Sequence, residues 1–146
     1  MLIGTSRHLA FKLALAWFGM VYSPTVHAEL LIENAWVKLA PPSAKVNAAY
    51  LQITNPGGED VIIQSLSASC CEELMLHRTR YENDSAVMEH VDQLIVPAGE
   101  QITLEPGGLH IMLLGAKKPL ALNDTVELTI FFADGQQQIF HVPVKK

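Results

Sequence analysis

TVELTIFFADGQQQIFHVPV, residues 125–144, is the stretch that decides the fold class. Val126, Leu128, Ile130 and Phe132 recur at every second position, so all four point to one side of an extended strand. Asp134-Gly135 follows, a pair suited to the positive backbone angles of a tight hairpin, and Gln137 to Val144 runs back as a second strand. The period is two and not 3.6, which argues for a sheet with one buried face.

The same grammar recurs upstream. Leu30 to Leu39 reads as a first strand ending at Pro41-Pro42, and Ala48 to Thr54 as a second, stopped by Asn55-Pro56-Gly57-Gly58. Val61 to Leu66 is a third. Leu74 to Tyr81 and Ala86 to Val91 flank Glu82-Asn83-Asp84-Ser85, which predicts a hairpin. Gln101 to Leu104 and Leu109 to Leu114 flank Glu105-Pro106-Gly107-Gly108 and predict another. Eight or nine strands with no helix-length segment mean an all-β sandwich or barrel.

The first 28 residues are set apart. Arg7 and Lys12 precede an apolar run of about ten residues, Leu13 to Tyr22, and Val26-His27-Ala28 supplies small residues at the last and third-last positions. That order predicts a signal peptide over 1–28, cleaved after Ala28, and an exported, periplasmic protein. The run is shorter than the roughly 20 residues that span a bilayer, so stable membrane insertion is not expected. What is left, 29–146, is 118 residues with 15 acidic and 8 basic side chains, a net charge of −7. This suits one domain, and its acidity argues against nucleic acid as a partner.

Cys70 and Cys71 are adjacent, so no disulfide framework holds the domain together. Two readings of the pair stand open: a loop with one buried thiol or a strained bridge, or an auxiliary thiolate site near His77.

The chemistry-bearing residues are sparse. Residues 29–146 hold four His (77, 90, 110, 141) and three Met (75, 88, 112). His110 and Met112 stand at i and i+2 of one predicted strand and share a face, while Leu109, Ile111 and Leu113 turn to the core. His77 and Met88 lie on the two arms of the preceding hairpin. Imidazole suits several transition metals, but thioether sulfur is soft and favours Cu(I). Zinc usually takes Cys, His or carboxylates, and calcium and magnesium take oxygen. Two His and two Met are neutral ligands, and thioethers cannot be lost to a disulfide in an oxidising compartment.

The spacing H-x10-M-x21-H-x-M resembles the signature of the periplasmic PCu(A)C copper chaperone family. Ala35-Trp36-Val37, Asn55-Pro56-Gly57-Gly58, Pro106-Gly107-Gly108-Leu109-His110-Ile111-Met112 and Lys117-Lys118-Pro119-Leu120 are similar to that family as well. The resemblance implies a cupredoxin-like Greek-key β-barrel that binds one Cu(I) at an exposed site near one end. It implies His77, Met88, His110 and Met112 as the metal ligands. It also implies delivery to the CuA subunit of cytochrome c oxidase, with a Sco-type thioredoxin-fold partner. His90 and Met75, on the same strand faces, are candidate spare donors, the other reading of His90 being a solvated edge histidine; Lys117 and Lys118 are a candidate basic lip for an acidic partner or an ordinary solubilising turn.

Three readings compete. A blue-copper electron carrier needs a Cys thiolate among its His ligands, and no Cys lies near His110 or Met112. A metal-free Ig-like interaction module would bury its Met and His side chains. An enzyme is not expected, because no nucleophile elbow, zinc-protease helix or acidic pair is present.

Overall fold

The structure is a computed structural model and describes residues 29–41 and 43–146. The segment 1–28, with its expected signal peptide, lies outside the described residues. Ten strands form: β1 Leu31–Lys38, β2 Val46–Thr54, β3 Val61–Ala68, β4 Glu73–Glu82, β5 Ser85–His90, β6 Leu94–Val96, β7 Gln101–Leu104, β8 Leu109–Leu114, β9 Thr125–Phe132 and β10 Gln137–Lys145. No helix occurs among the described residues.

The strands pair in the order β5-β4-β8-β2-β1-β10-β9-β3-β6, with β7 also on β2. The ladder folds into two layers. One contains β5, β4, β8, β2 and β1, and the other β10, β9, β3 and β6. They are joined where β1 runs parallel to β10, with Val37 opposite Val144. Consecutive strands cross repeatedly between the layers, as the Greek-key expectation requires.

The alternation read from 125–132 is the alternation of burial. Val126, Leu128, Ile130 and Phe132 are all buried, and they meet Val37, Leu51 and Ile111 from the facing layer in one apolar core. Burial of such side chains contributes about 1.5–3 kcal/mol each, and this core carries the stability that no disulfide supplies. Asn55, entirely buried, ties the turn after β2. Its Nδ2 donates to the Glu59 and Val96 carbonyls at 2.7 and 3.0 Å, and its Oδ1 accepts from Gly57 N–H at 2.9 Å.

One expectation is corrected. Gln101–Leu104 and Leu109–Leu114 do not pair with each other as a hairpin. Both lie antiparallel along β2, β7 opposite Leu51–Thr54 and β8 opposite Val46–Ala49. They are two halves of one strand line, interrupted by an excursion. The reason is local. Gly108 N–H closes a turn onto the Glu105 carbonyl at 3.0 Å, and Glu105 N–H bonds the Leu109 carbonyl at 2.8 Å. The chain therefore loops out and returns to the same line, and Gly107 accommodates the φ of +80° that this needs.

Candidate metal centre

The hairpin β4–β5 closes through Asn83 and Asp84, both at positive φ (49° and 62°), the signature of a two-residue type I′ turn. That turn fixes the register: Thr79 faces Met88 and His77 faces His90. On its other side β4 pairs with β8, where His77 faces His110 and Met75 faces Met112. Directly opposed residues share a sheet face, as do residues two apart. His77, Met88, His110 and Met112 therefore lie together on the outer face of β5-β4-β8, and so do Met75 and His90. Leu76, Ile111 and Leu113 fill the core from the other side.

His77 is the centre of the group. Its ring centroid lies 6.2 Å from that of His110 and 5.4 Å from that of His90, both edge to face. Met88 and Met112 are its diagonal neighbours on the flanking strands, a separation of about 7–8 Å that long side chains bridge. The four expected ligands are graded in exposure. His110 is buried at 6%, His77 and Met112 are half-buried, and Met88 is 60% exposed.

The excursion between β7 and β8 serves this face. The Gly108 carbonyl accepts the Thr79 N–H at 3.0 Å and stands 3.0 Å from His110 Nδ1. A carbonyl only accepts, so Nδ1 carries the proton and His110 Nε2 keeps its lone pair free for a ligand role. His77 is the opposite case. Its Nδ1 is buried with no hydrogen-bond partner. An orphaned buried imidazole nitrogen costs about 1–3 kcal/mol, and a metal ion at this atom would relieve that cost. Burial, and then the nearby His90 and His110, push the His77 pKa below 6.5, which favours the neutral form that binds metals. The residues present thus fit a soft cation. Among the described residues, no group of three or more His, Cys, Asp or Glu could hold a metal ion, so a site on this face depends on the thioethers.

The cysteines lie elsewhere. Cys70 and Cys71 occupy the β3–β4 turn, their sulfurs 2.8 Å apart as free thiols. Glu73, the first residue of β4, already stands four residues from His77, about 13 Å at strand rise. The auxiliary thiolate reading near His77 is therefore replaced by the loop reading, with Cys71 buried. Burial, with the Cys70 thiol beside it, pushes Cys71 up to about 12. Lys117 is tied to the same turn: its Nζ donates to the Ser69 carbonyl at 2.9 Å and its N–H to the Cys70 carbonyl at 2.9 Å. His141 sits apart on β10, 3.6 Å from Glu127.

The LpqE-like lipoprotein family model matches residues 30–144. The protein Lxx21020 of Leifsonia xyli subsp. xyli, a lipoprotein by its assigned name, is 35% identical over 115 residues, covering 78% of this chain and 68% of its own. Among solved structures, CuI-DR1885 from Deinococcus radiodurans is 32% identical with a TM-score of 0.65, covering 80% of this chain and 77% of that one. The copper-bound PCuAC domain from PmoF2 has a TM-score of 0.65 at 17% identity, covering 78% and 90%, a likeness of fold alone. These neighbours share the cupredoxin-like β fold expected from the sequence.

Proposed function

Because the chain belongs to the LpqE-like, PCuAC-type lipoprotein family, we propose that it is an exported copper chaperone. It holds one Cu(I) through His77, Met88, His110 and Met112. The observation that carries this reading is that four neutral donors, distant in sequence, share one outer face with His77 on its central strand, and that His77 Nδ1 is buried without a hydrogen-bond partner. The relatives support it from outside: DR1885 was solved with Cu(I), and the PmoF2 domain with copper. A metal-free module would pack these side chains into the interior, whereas Met88 is 60% exposed.

The gradient of exposure suggests how such a carrier works. His110 is clamped by the Gly108 carbonyl, and His77 is held on the central strand, so the two imidazoles form the fixed floor of the site. Met88 on the edge strand is the accessible donor. An incoming ligand from a client displaces its thioether first, and copper moves by stepwise exchange without release of a free ion. The chain is a stoichiometric carrier and not an enzyme. It acts in the periplasm, and the lipoprotein names of its relatives support export. Among the described residues no helix is long and apolar enough to cross a membrane. The client follows from the family resemblance: the CuA subunit of cytochrome c oxidase, with a Sco-type partner.

The test is a Cu(I) titration of the protein under a competing chelator, followed by addition of a purified CuA domain. Wild type should retain one equivalent and surrender it to the acceptor. Met88→Leu plus Met112→Leu keeps the side-chain volume and removes both sulfurs, and should lose retention. Equal retention by both proteins defeats the ligand assignment. Retention without transfer defeats the client alone.

A further inference from the structure

We propose that Cys70 and Cys71 are a reversible dithiol–disulfide site, which reduces an incoming disulfide and closes into a bridge between neighbouring residues. The site lies apart from the His–Met face and does not depend on the copper reading.

Both thiols are free, and their sulfurs stand 2.8 Å apart in the turn between β3 and β4. A disulfide bond is about 2.05 Å long, so closure asks for less than about 1 Å of further approach. The backbone resists more. Neighbouring Cα atoms are about 3.8 Å apart, against roughly 4.4–6.8 Å in ordinary bridges, so the closed ring is strained. Strained disulfides are the readily reduced ones, and the pair therefore cycles where a structural bridge would stay shut. The turn is tied on both sides of the pair. The Cys70 carbonyl accepts the Lys117 N–H at 2.9 Å, and the Glu72 N–H donates to the Leu114 carbonyl at 3.0 Å. Those bonds fix the turn in which the two sulfurs meet.

The two sulfurs differ in access. Cys70 is half-buried, whereas Cys71 is 5% exposed. An incoming disulfide therefore meets Cys70 first, and the Cys70 thiolate attacks it. A mixed disulfide forms at Cys70, and one half of the incoming molecule leaves as a thiolate. Cys71 then attacks the Cys70 sulfur, the ring closes, and the second half leaves as a thiolate. In balance, two protein thiols give up two electrons and two protons, and one disulfide becomes two thiols. In the reduced pair burial pushes Cys71 up to about 12; the hydrogen bond and charge of Cys70 add to this, while Lys117 draws it down. Once Cys70 is in a mixed disulfide, its own contributions vanish. That of Lys117, whose Nζ is held by the Ser69 carbonyl at 2.9 Å, remains. Cys71 is thus released to attack only after Cys70 has reacted, which sets the order of the two steps.

The experiment equilibrates the full-length exported protein, free of metal, in glutathione buffers of rising glutathione disulfide content. Samples are quenched in acid, unfolded, alkylated at the remaining thiols and weighed by mass spectrometry. Wild type should pass to a form that is two hydrogens lighter, takes up no alkylating agent and returns to the dithiol with dithiothreitol. Cys71→Ser should stop at a glutathione adduct on Cys70, since nothing resolves it. Cys70→Ser should form an adduct at least about 10-fold more slowly, because only the buried thiol is left. Wild type that stays a dithiol in the most oxidising buffer, keeps glutathione on Cys70, or links to a second copy overturns the proposal. So does equal reactivity of the two single variants. The wild-type arm decides by itself where a variant fails to fold.

Discussion

Ile111 and Met112 are adjacent on β8, yet they should fail in opposite ways when altered. Ile111 is 1% exposed and points into the core, while Met112 is half-buried on the outer face beside His77. Ile111→Val removes one fully buried methylene, which costs about 1 kcal/mol through lost transfer energy and a small cavity. For a domain of this size that lowers the metal-free melting temperature by roughly 3–6 °C. The backbone of β8 and the imidazole of His110 are untouched, so Cu(I) affinity should stay within about 2-fold. Met112→Leu conserves volume and should cost well under about 1.5 kcal/mol. It deletes one of four donors, however, and should weaken Cu(I) by at least about 10-fold, since even ligand-orienting partners account for 10–100-fold. Thermal unfolding with a chelator present reads the first quantity, and Cu(I) competition titration reads the second. Should Ile111→Val lose copper while Met112→Leu keeps it, the two faces of β8 have been assigned the wrong way round.

Asn55→Ala should destabilise the metal-free protein by roughly 3 kcal/mol, because it strands the Glu59 and Val96 carbonyls and the Gly57 N–H; denaturant unfolding checks this, with Cu(I) affinity unchanged. The His77 imidazole should titrate below 6.5 in the metal-free protein, a midpoint that NMR reads directly. The unfolded chain then binds the proton more readily than the folded one, so stability falls as pH drops below about 6.5 through that window. Above it, His77 makes no such contribution, and His77→Gln should flatten the dependence. Alkylation at mildly alkaline pH should mark Cys70 before Cys71, whose buried thiol is pushed up to about 12, and mass spectrometry of the labelled peptides decides the order.

Much of this architecture could be read from local pattern, because period and turn chemistry are local. Residues 125–144 give two strands whose bounds agree with β9 and β10 to within a residue or so. The i, i+2 spacing of His110 and Met112 likewise settles their common face without reference to any other strand. Pairing between distant strands is a different matter. Nothing in the sequence near Val37 says that it lies beside Val144, and Pro106-Gly107-Gly108 looks like a hairpin turn until β2 is seen to span both of its arms. Two-residue closure at Asn83-Asp84 is what fixes the register of β5 against β4. Once that turn is taken as the hinge, Glu82 faces Ser85 and counting back along both arms sets His90 opposite His77, with Met88 one step along the diagonal.

The most direct measurement of the central claim follows the methionine methyl groups by NMR in protein labelled at the Met Cε carbon, as Cu(I) is added to one equivalent. The methyl signals of Met88 and Met112 should shift together and stop moving at one equivalent, with the His77 and His110 ring signals changing in step. Should copper bind while both methyl signals stay in place, the metal is held elsewhere and the His–Met centre on β5-β4-β8 is contradicted.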